Sequence, residues 1–460
     1  MKRALESYFR IPERGSSVRI EILGGVTTFV TMAYIVVVNP AILAFAGIPT
    51  GPSTVATILT AVFGSLLMGL YANRPIAVAP YMGENAFIAF GLASLGIGWQ
   101  LRLGAVFVSG AAFLLLTVLG LRKWLVDAIS PTMKHSFAAG IGLFLALIGL
   151  YESGIVTSFV TGMPAAALLA PGGEFLRAPD VPLKLGNLSS PEVLLAILGF
   201  LVTVVMIHRK IRGAVLLGIA ATATLGLLLG RGSAPTGLFA LPFTGDATLG
   251  PIAFQLDIAG ALRLEFLPIL LTLFLMSFLD TLGTLVGVGA AAGMLDEKGR
   301  MEGIEKPMLV DAVTCMFSGL VGTSTSGAYI ESAAGIRDGA RTGLAAVTTA
   351  LLFGLSLFFL PIVAPLQTLR FAYAPALVVV GLLMIGSIRK LDFDDLTELA
   401  PAFATITVMV FTYNIGNGLT AGLVLYPVVK LLAGRHRDLS AGSIVLGLLG
   451  AIYFAFGMPH

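Results

Sequence analysis

The chain has 460 residues, 57% of them hydrophobic and only 12% charged, with a mean hydropathy of +0.95. A soluble domain carries about 25% charged residues, so this is a polytopic membrane protein whose length is read as spans. The net charge of +3 is too small to say anything of nucleic acid, and the one cysteine, Cys315, excludes an internal disulfide or a thiolate metal cluster.

Residues 1–20 are mixed polar and basic, without the apolar core and cleavage site of a signal peptide, so the first span is expected to act as an uncleaved signal. Lys2, Arg3, Arg10, Arg14 and Arg19 place the N-terminus in the cytoplasm by the positive-inside rule. Apolar runs follow at roughly 22–38, 53–72, 83–94, 101–121, 133–150, 191–207 and 212–230. The second half continues at roughly 265–283, 306–321, 327–337, 342–361, 374–388, 397–413, 416–433 and 441–457. Two runs, 83–94 and 327–337, are too short to span. Each follows an extended piece rich in Gly, Pro, Ser or Thr: RPIAVAPYMG (74–83) and GLVGTSTSG (319–327).

Basic residues orient these runs. Arg122 and Lys123, the cluster His208, Arg209, Lys210 and Arg212, and the loop 296–306 all fall inside if the N-terminus is inside. Residues 151–190 and 231–263 are long, Pro/Gly-rich and poor in Lys and Arg, which suits the outer face. The last runs fit less cleanly. Arg435 and Arg437 ask for a cytoplasmic loop after 433, and a further full span would leave the C-terminus outside. About fourteen segments are expected.

Shifting the sequence by 244 residues superposes its halves without a gap. Glu21 meets Glu265, Thr28 meets Thr272, Met32 meets Met276, Pro131 meets Pro375 and Gly142 meets Gly386. Gly83, opening the first short helix, meets Gly327, opening the second. Short, interrupted segments at matching positions of two halves are the best sequence pointer to a transporter binding site. Seven segments per half is odd, so the two repeats enter the membrane from opposite sides. The same register pairs Glu331 with Phe87 and Asp280 with Val36, so the second half carries the acids and the first an aromatic and apolar wall.

A charge at membrane depth costs at least ~2.5 kcal/mol and marks a candidate functional site. Broken backbone at this depth is tolerated only where protein or an aqueous cavity satisfies it. Two short helices starting near mid-membrane direct free N–H groups inward. Ser324, Thr325 and Ser326 are candidate caps for the second, and Asn85 is a cap or ligand group in the first. The backbone at Phe87 and Gly327 supplies donors, Asp280 and Glu331 supply acceptors, and Phe87 or Tyr329 supplies a stacking face. This mixture matches a planar solute with ring N–H donors and carbonyl acceptors.

Asp280 and Glu331 also suit proton coupling, because a protonated carboxyl donates a hydrogen bond that its ionised form cannot. None of the four histidines lies near the centre. Structural readings stand beside these. Asp280 is alternatively a structural acid, and Asp311 is read mainly as a structural brace. Thr27, Thr28 and Thr31 either bond their own helix carbonyls or face the site. Arg337, Asp338 and Arg341 read as a cytoplasmic end with surface pairing. Asp280-Thr281-Leu282-Gly283 is not an aspartic-protease triplet, and Gly287–Gly293 follows a helix and so is not a nucleotide loop. No P-loop is present, which argues against ATP-driven pumping.

The stretches EILGGVTTFVTMAYIVVVNPAIL, APYMGENAFIAF, FLDTLGTLVGV, DAVTCMFSGLVGTSTSGAYIESAAGI and APALVVVGLLM resemble the nucleobase:cation symporter-2 family. Within it they are similar to the adenine/guanine/hypoxanthine permease branch, from about residue 14 to 435. The resemblance implies an all-α fold of two inverted seven-segment repeats. A cytoplasmic N-terminus (1–18) precedes a core domain (19–121 and 264–362) and a gate domain (122–232 and 363–457), with an extracellular loop at 233–263. It implies a proton-coupled nucleobase importer of elevator type in the cell membrane, usually dimeric and without cofactor or metal. It also places Asp280, Glu331 and Asn85 at the substrate. The branch reads Gly-Met-Gly-Leu-Asn-Ala where this chain has Tyr81-Met82-Gly83-Glu84-Asn85-Ala86. Glu84 is therefore an acceptor for an exocyclic amine, a relocated proton site or part of a polar bridge. The alternatives are a uracil/xanthine-type or small-anion carrier of the same fold and, in another class, an ion channel. A membrane-embedded hydrolase lacks a nucleophile–base pair.

Overall fold

The computed structural model describes residues 2–92, 96–120, 124, 128–159, 161, 183–294, 301 and 303–456. Arg122, Lys123 and most of the loop 296–306 lie outside the described residues. The first half runs α1 (Val18–Met32), α2 (Ile35–Leu43), α3 (Thr50–Leu70), β1 (Val78–Pro80), α4 (Met82–Ala86), α5 (Trp99–Val118), α6 (Pro131–Glu152), β2 (Val156–Ser158), β3 (Leu183–Leu185), α7 (Pro191–His208) and α8 (Ala214–Leu228). The second runs α9 (Leu267–Ala291), α10 (Glu305–Val321), β4 (Ser326–Ala328), α11 (Ser332–Arg337), α12 (Gly343–Ser356), α13 (Arg370–Met384), α14 (Leu396–Phe411), α15 (Ile415–Leu432) and α16 (Ala441–Phe456). Among the described residues nine helical stretches are long and apolar enough to cross a membrane, α1 and α2 forming one of them.

Helix starts follow local chemistry. The side chains of Ser17, Ser130, Thr342, Asp395 and Asn414 each accept a backbone N–H at the first turn of α1, α6, α12, α14 and α15. Pro131 and Pro191 take the first helical position, where no N–H is needed.

The helix crossings express the inverted repeat. A Cβ added at Gly343 of α12 would lie 2.0 Å from the Gly69 carbonyl of α3, while Gly354 faces Val62, so the two helices are antiparallel. On α5 and α10, Gly110 meets Met316 and Gly319 meets Phe107, again antiparallel. The 244-residue shift carries α5 onto α12 and α3 toward α10, so one crossing is made twice. α6 and α13 cross each other in the same way: Gly142 meets Gly381, and Gly149 meets Ala374. Small residues permit these close approaches, which give packing in a medium without a hydrophobic driving force.

α1, α3, α5, α10, α11, α12 and the strands β1 and β4 pack together, and α6, α7, α8, α13, α14 and α15 form a second set. The sets meet at few places. Gly83 rests on Ile141, Gly213 on Val30, and Phe90 meets Tyr413 with ring centroids 6.0 Å apart. The last segments settle the count. Arg435, just past α15, pairs with Asp395 before α14 at 2.5 Å, so α14 and α15 form a hairpin with both outer ends on one side. α16 then runs back along α15, Gly447 against Pro427 and Gly450 against Val424. It is one apolar segment beyond the two seven-segment repeats.

Candidate functional site

β1 and β4 pair antiparallel, Val78 with Ala328, Ala79 with Gly327 and Pro80 with Ser326. Tyr81 N–H to Thr325 O (2.9 Å) and Tyr329 N–H to Ala77 O (2.9 Å) extend the ladder at both ends. The extended pieces thus satisfy each other's backbone, which is the condition for irregular chain at this depth. Side chains complete the job. Ser65 Oγ donates to Val78 O and accepts from Val78 N, and Ser332 Oγ accepts from Ala77 N.

Two expectations need correcting. Gly327 does not open the second short helix. It sits in β4, where an added Cβ would be 2.2 Å from Tyr81 Oη. The 244-residue shift carries Met82 to Ser326, yet α11 begins at Ser332 with Glu331 at its N-cap. Ser324, Thr325 and Ser326 consequently do not cap it: Ser324 Oγ donates to Asn39 Oδ1 at 3.3 Å, and Thr325 Oγ and Ser326 Oγ are buried without a partner among the described residues. The reason is the strand pairing, which holds Ser326–Ala328 in a strand and Tyr329 N–H on Ala77 O, so that the helix starts only after a turn at Ile330 and Glu331. Asn85 is likewise inside α4 and caps nothing. Its Nδ2 donates to Asn39 O at 3.2 Å, and its Oδ1 is buried and unpartnered.

The carboxylates take different positions. Glu331 Oε1 accepts from Tyr34 O–H at 2.9 Å, and its neighbour Ile330 is 59% exposed. Asp280, half-buried on α9, shares a face with Gly283 and Gly287. An added Cβ at Gly283 meets nothing within 4 Å, and at Gly287 only Ile330. This face of α9 and the start of α11 therefore flank open space. Glu84 is fully buried and neither of its oxygens accepts a hydrogen bond from another described residue, but its carboxyl lies within hydrogen-bonding reach of that of Asp280. Tyr329 is within electrostatic reach of Glu331, Glu84 and Asp280 alike. Its ring lies parallel to that of Tyr81, 9° and 6.2 Å apart, with its O–H on Pro80 O.

Asp311 Oδ2 accepts from Thr281 O–H at 2.9 Å and Ala328 N–H at 2.8 Å, and Tyr81 O–H meets Thr281 Oγ at 3.0 Å. This chain ties α9, α10 and β4 together. Phe87, beginning a π turn (Phe87–Gly91) after α4, is buried against Gly416 of α15. Thr28 faces Gly335 of α11 and not the open space. Thr31 bonds the carbonyls of Thr27 and Thr28, while Thr27 bonds Asp338 at 2.6 Å.

Sequence reasoning passed over four residues. Tyr34 holds Glu331. Asn39 joins Thr57, Thr323, Ser324 and Asn85. Tyr81 joins Thr281. Arg102 is buried and donates to the carbonyls of Ile88, Ala89 and Ile97 around the end of the π turn. Arg341 does the same for α11 through Ile336 O and Ala340 O, both at 2.7 Å. Arg102 was detectable by the rule that singled out the acids, being a charge within an apolar run. A cavity of about 690 Å³ lies elsewhere, among Ser130, Asp395, Glu398, Lys430 and Arg435. It is an ion-pair cluster in which buried Lys430 meets Glu398 at 2.9 Å.

Two inverted halves meeting at paired antiparallel strands, with short helices and carboxylates beside a cleft, define a membrane carrier of the inverted-repeat class. Residues 19–420 match the Permease family model (Xan_ur_permease). The chain is similar to Adenine permease AdeP of Escherichia coli (strain K12), 38% identical over 457 residues, covering 99% of this chain and 97% of that one. It is similar to Guanine/hypoxanthine permease PbuO of Bacillus subtilis (strain 168), 37% identical over 448 residues, covering 96% and 98%. In fold it matches the transmembrane domain of a cyanobacterium bicarbonate transporter, BicA, with a TM-score of 0.60 at 20% identity, covering 88% and 97%. The chain belongs to the Permease family and is a multi-pass membrane protein.

Proposed function

We propose that this chain is a secondary active importer of purine nucleobases (adenine, guanine or hypoxanthine) coupled to protons. The observation that carries the reading is the pair of partly accessible carboxylates, Asp280 and Glu331, flanking one open space beside the paired strands. Relatives matched along almost their whole length bear the names adenine permease and guanine/hypoxanthine permease. Asp280 and Glu331 accept from ring N–H groups, and the adjoining tyrosines bound the plane of the base.

Transport proceeds by movement of a core (19–121 and 264–362) against a gate (122–232 and 363–457). The N-terminus is cytoplasmic, no cofactor takes part, and the working form is a homodimer. Ile330 is exposed where Phe90–Tyr413 at the other end is in contact, so in this state the cleft opens on the Arg337 side, which is the cytoplasmic side in this topology.

The test is uptake of labelled adenine, guanine and hypoxanthine by cells lacking their own carriers. Accumulation of at least one is expected, and none at normal membrane levels overturns the purine reading. Competition by uracil, xanthine or small carboxylates separates a different substrate class. Glu331→Gln, which removes a substrate acceptor, is expected to lower purine uptake.

A further inference from the structure

Three features set Glu84 apart from the other acids. It is fully buried, whereas Asp280 beside it is partly accessible. Neither of its oxygens accepts a hydrogen bond from any other described residue. The group in front of it is another carboxyl, that of Asp280. Glu84 therefore stands behind Asp280 as seen from the cleft, and touches substrate only through it.

The other titratable groups around this pair are Tyr81 before α4, Asp311 and Cys315 on α10, and Tyr329 before α11. From α6 comes the apolar Ile141, against Gly83. None of these is a cation. Two carboxyls in contact inside a protein, without a cation, cannot both ionise, and one proton between them turns repulsion into a hydrogen bond.

We propose that Glu84 and Asp280 share a single proton, and that this buried pair, with Glu84 as its inner member, is the proton-carrying element of the transporter. The proposal rests on the reading of the chain as a proton-coupled carrier. The proton enters from the cleft at an Asp280 oxygen and comes to rest on Glu84. Glu84 O–H then donates to one Asp280 oxygen and leaves the other as acceptor for a ring N–H of the substrate. Loss of the proton to water in the open cleft leaves two negative charges side by side, which disfavours closing the cleft over them. Glu331, bonded to Tyr34 at the open end, contributes an acceptor and not the stored proton.

The experiment uses full-length protein reconstituted in lipid. Infrared spectra of the substrate-free protein across pH, with deuterium exchange, are expected to show a protonated-carboxyl band in the wild type and in Glu331→Gln that is absent from Glu84→Gln. A band unchanged in Glu84→Gln overturns the proposal. Asp280→Asn is the second variant: with an amide in front of it Glu84 has no carboxylate to bond, and the band must shift. An unshifted band also overturns the proposal. In the wild type, apparent adenine affinity is expected to vary by about tenfold per pH unit where one proton is bound with substrate. Glu84→Gln is expected to flatten this profile and Glu84→Asp to restore it in part. If the band behaves as described while no purine binds to the wild type, the purine reading fails and the carboxyl pair stands. If purine uptake is robust and the band ignores Glu84, the pair fails alone.

Discussion

Gly327 is a point of close approach between the two halves of the site. Its missing side chain makes room for the Tyr81 hydroxyl, whose partner Thr281 in turn bonds Asp311. A methyl group 2.2 Å from that oxygen and 2.6 Å from Tyr81 Cζ cannot be relieved by a free rotation, because the tyrosine is held at its tip. Gly327→Ala is therefore expected to push Tyr81 off Thr281 and abolish purine uptake while the protein still reaches the membrane. Uptake within twofold of wild type at equal protein level, a difference of only about 0.4 kcal/mol, counts against this account of the residue. The same local view separates the acids. Among the described residues Asp311 has two donors on one oxygen, Glu331 has one side-chain donor, and Glu84 has none from another residue.

At the scale of elements, each short helix is closed by an arginine that follows it. Arg102 gathers the carbonyls of Ile88 and Ala89 in the π turn and of Ile97 beyond it, and Arg341 gathers those of Ile336 in α11 and Ala340 beyond it. A helix C-terminus carries a partial negative charge and unmet carbonyls, so a guanidinium with several donors answers both. The two arginines do not correspond under the 244-residue shift, so the halves reached one physical solution from different positions. Arg102→Met should leave those carbonyls orphaned at about 1–3 kcal/mol each, seen as a lower midpoint of thermal unfolding of the purified protein. Arg102→Lys should recover only part, since one ammonium cannot span all three. Equal midpoints for the wild type and Arg102→Met rule the cap out as a stabilising feature.

For the whole molecule, the two helix sets touch at both ends: at the Arg337 end Arg212 pairs with Asp338 at 2.6 Å and Gly213 lies on Val30, and the opposite end is held by aromatic rings. There Phe90 meets Tyr413, Tyr413 meets Phe144 at 5.3 Å, and Asn414 donates to Gly91 O at 3.3 Å. At the other end Ile330 and Glu331 border open space. If transport moves one set against the other, this contact must break in each cycle. Cysteines placed at Phe90 and Tyr413 and joined by a short bismaleimide are expected to stop uptake, with each single variant labelled the same way remaining active. Full uptake by the cross-linked pair excludes relative movement of the sets at this end. The native Cys315 is buried and should not compete for the reagent.

Composition and period alone determined that the chain is a bundle of apolar helices, because a span must be long, apolar and internally bonded wherever it meets lipid. The 244-residue register and the two short segments were legible for the same reason: breaks in an apolar run are conspicuous. Asp280, Glu331 and Glu84 were legible as charges in the wrong solvent. What the sequence could not hold was pairing between distant residues. Strand pairing of β1 with β4 moved the start of α11 to Ser332 and took Gly327 and the Ser324–Ser326 hydroxyls out of the capping role. Tertiary packing alone decided that Tyr34 serves Glu331, that Asn39 links four partners, and that Glu84 stands behind Asp280 instead of facing the cleft. These are contacts across as many as 297 positions of chain. Local propensity carries no information about them, since they exist only once the helices have packed.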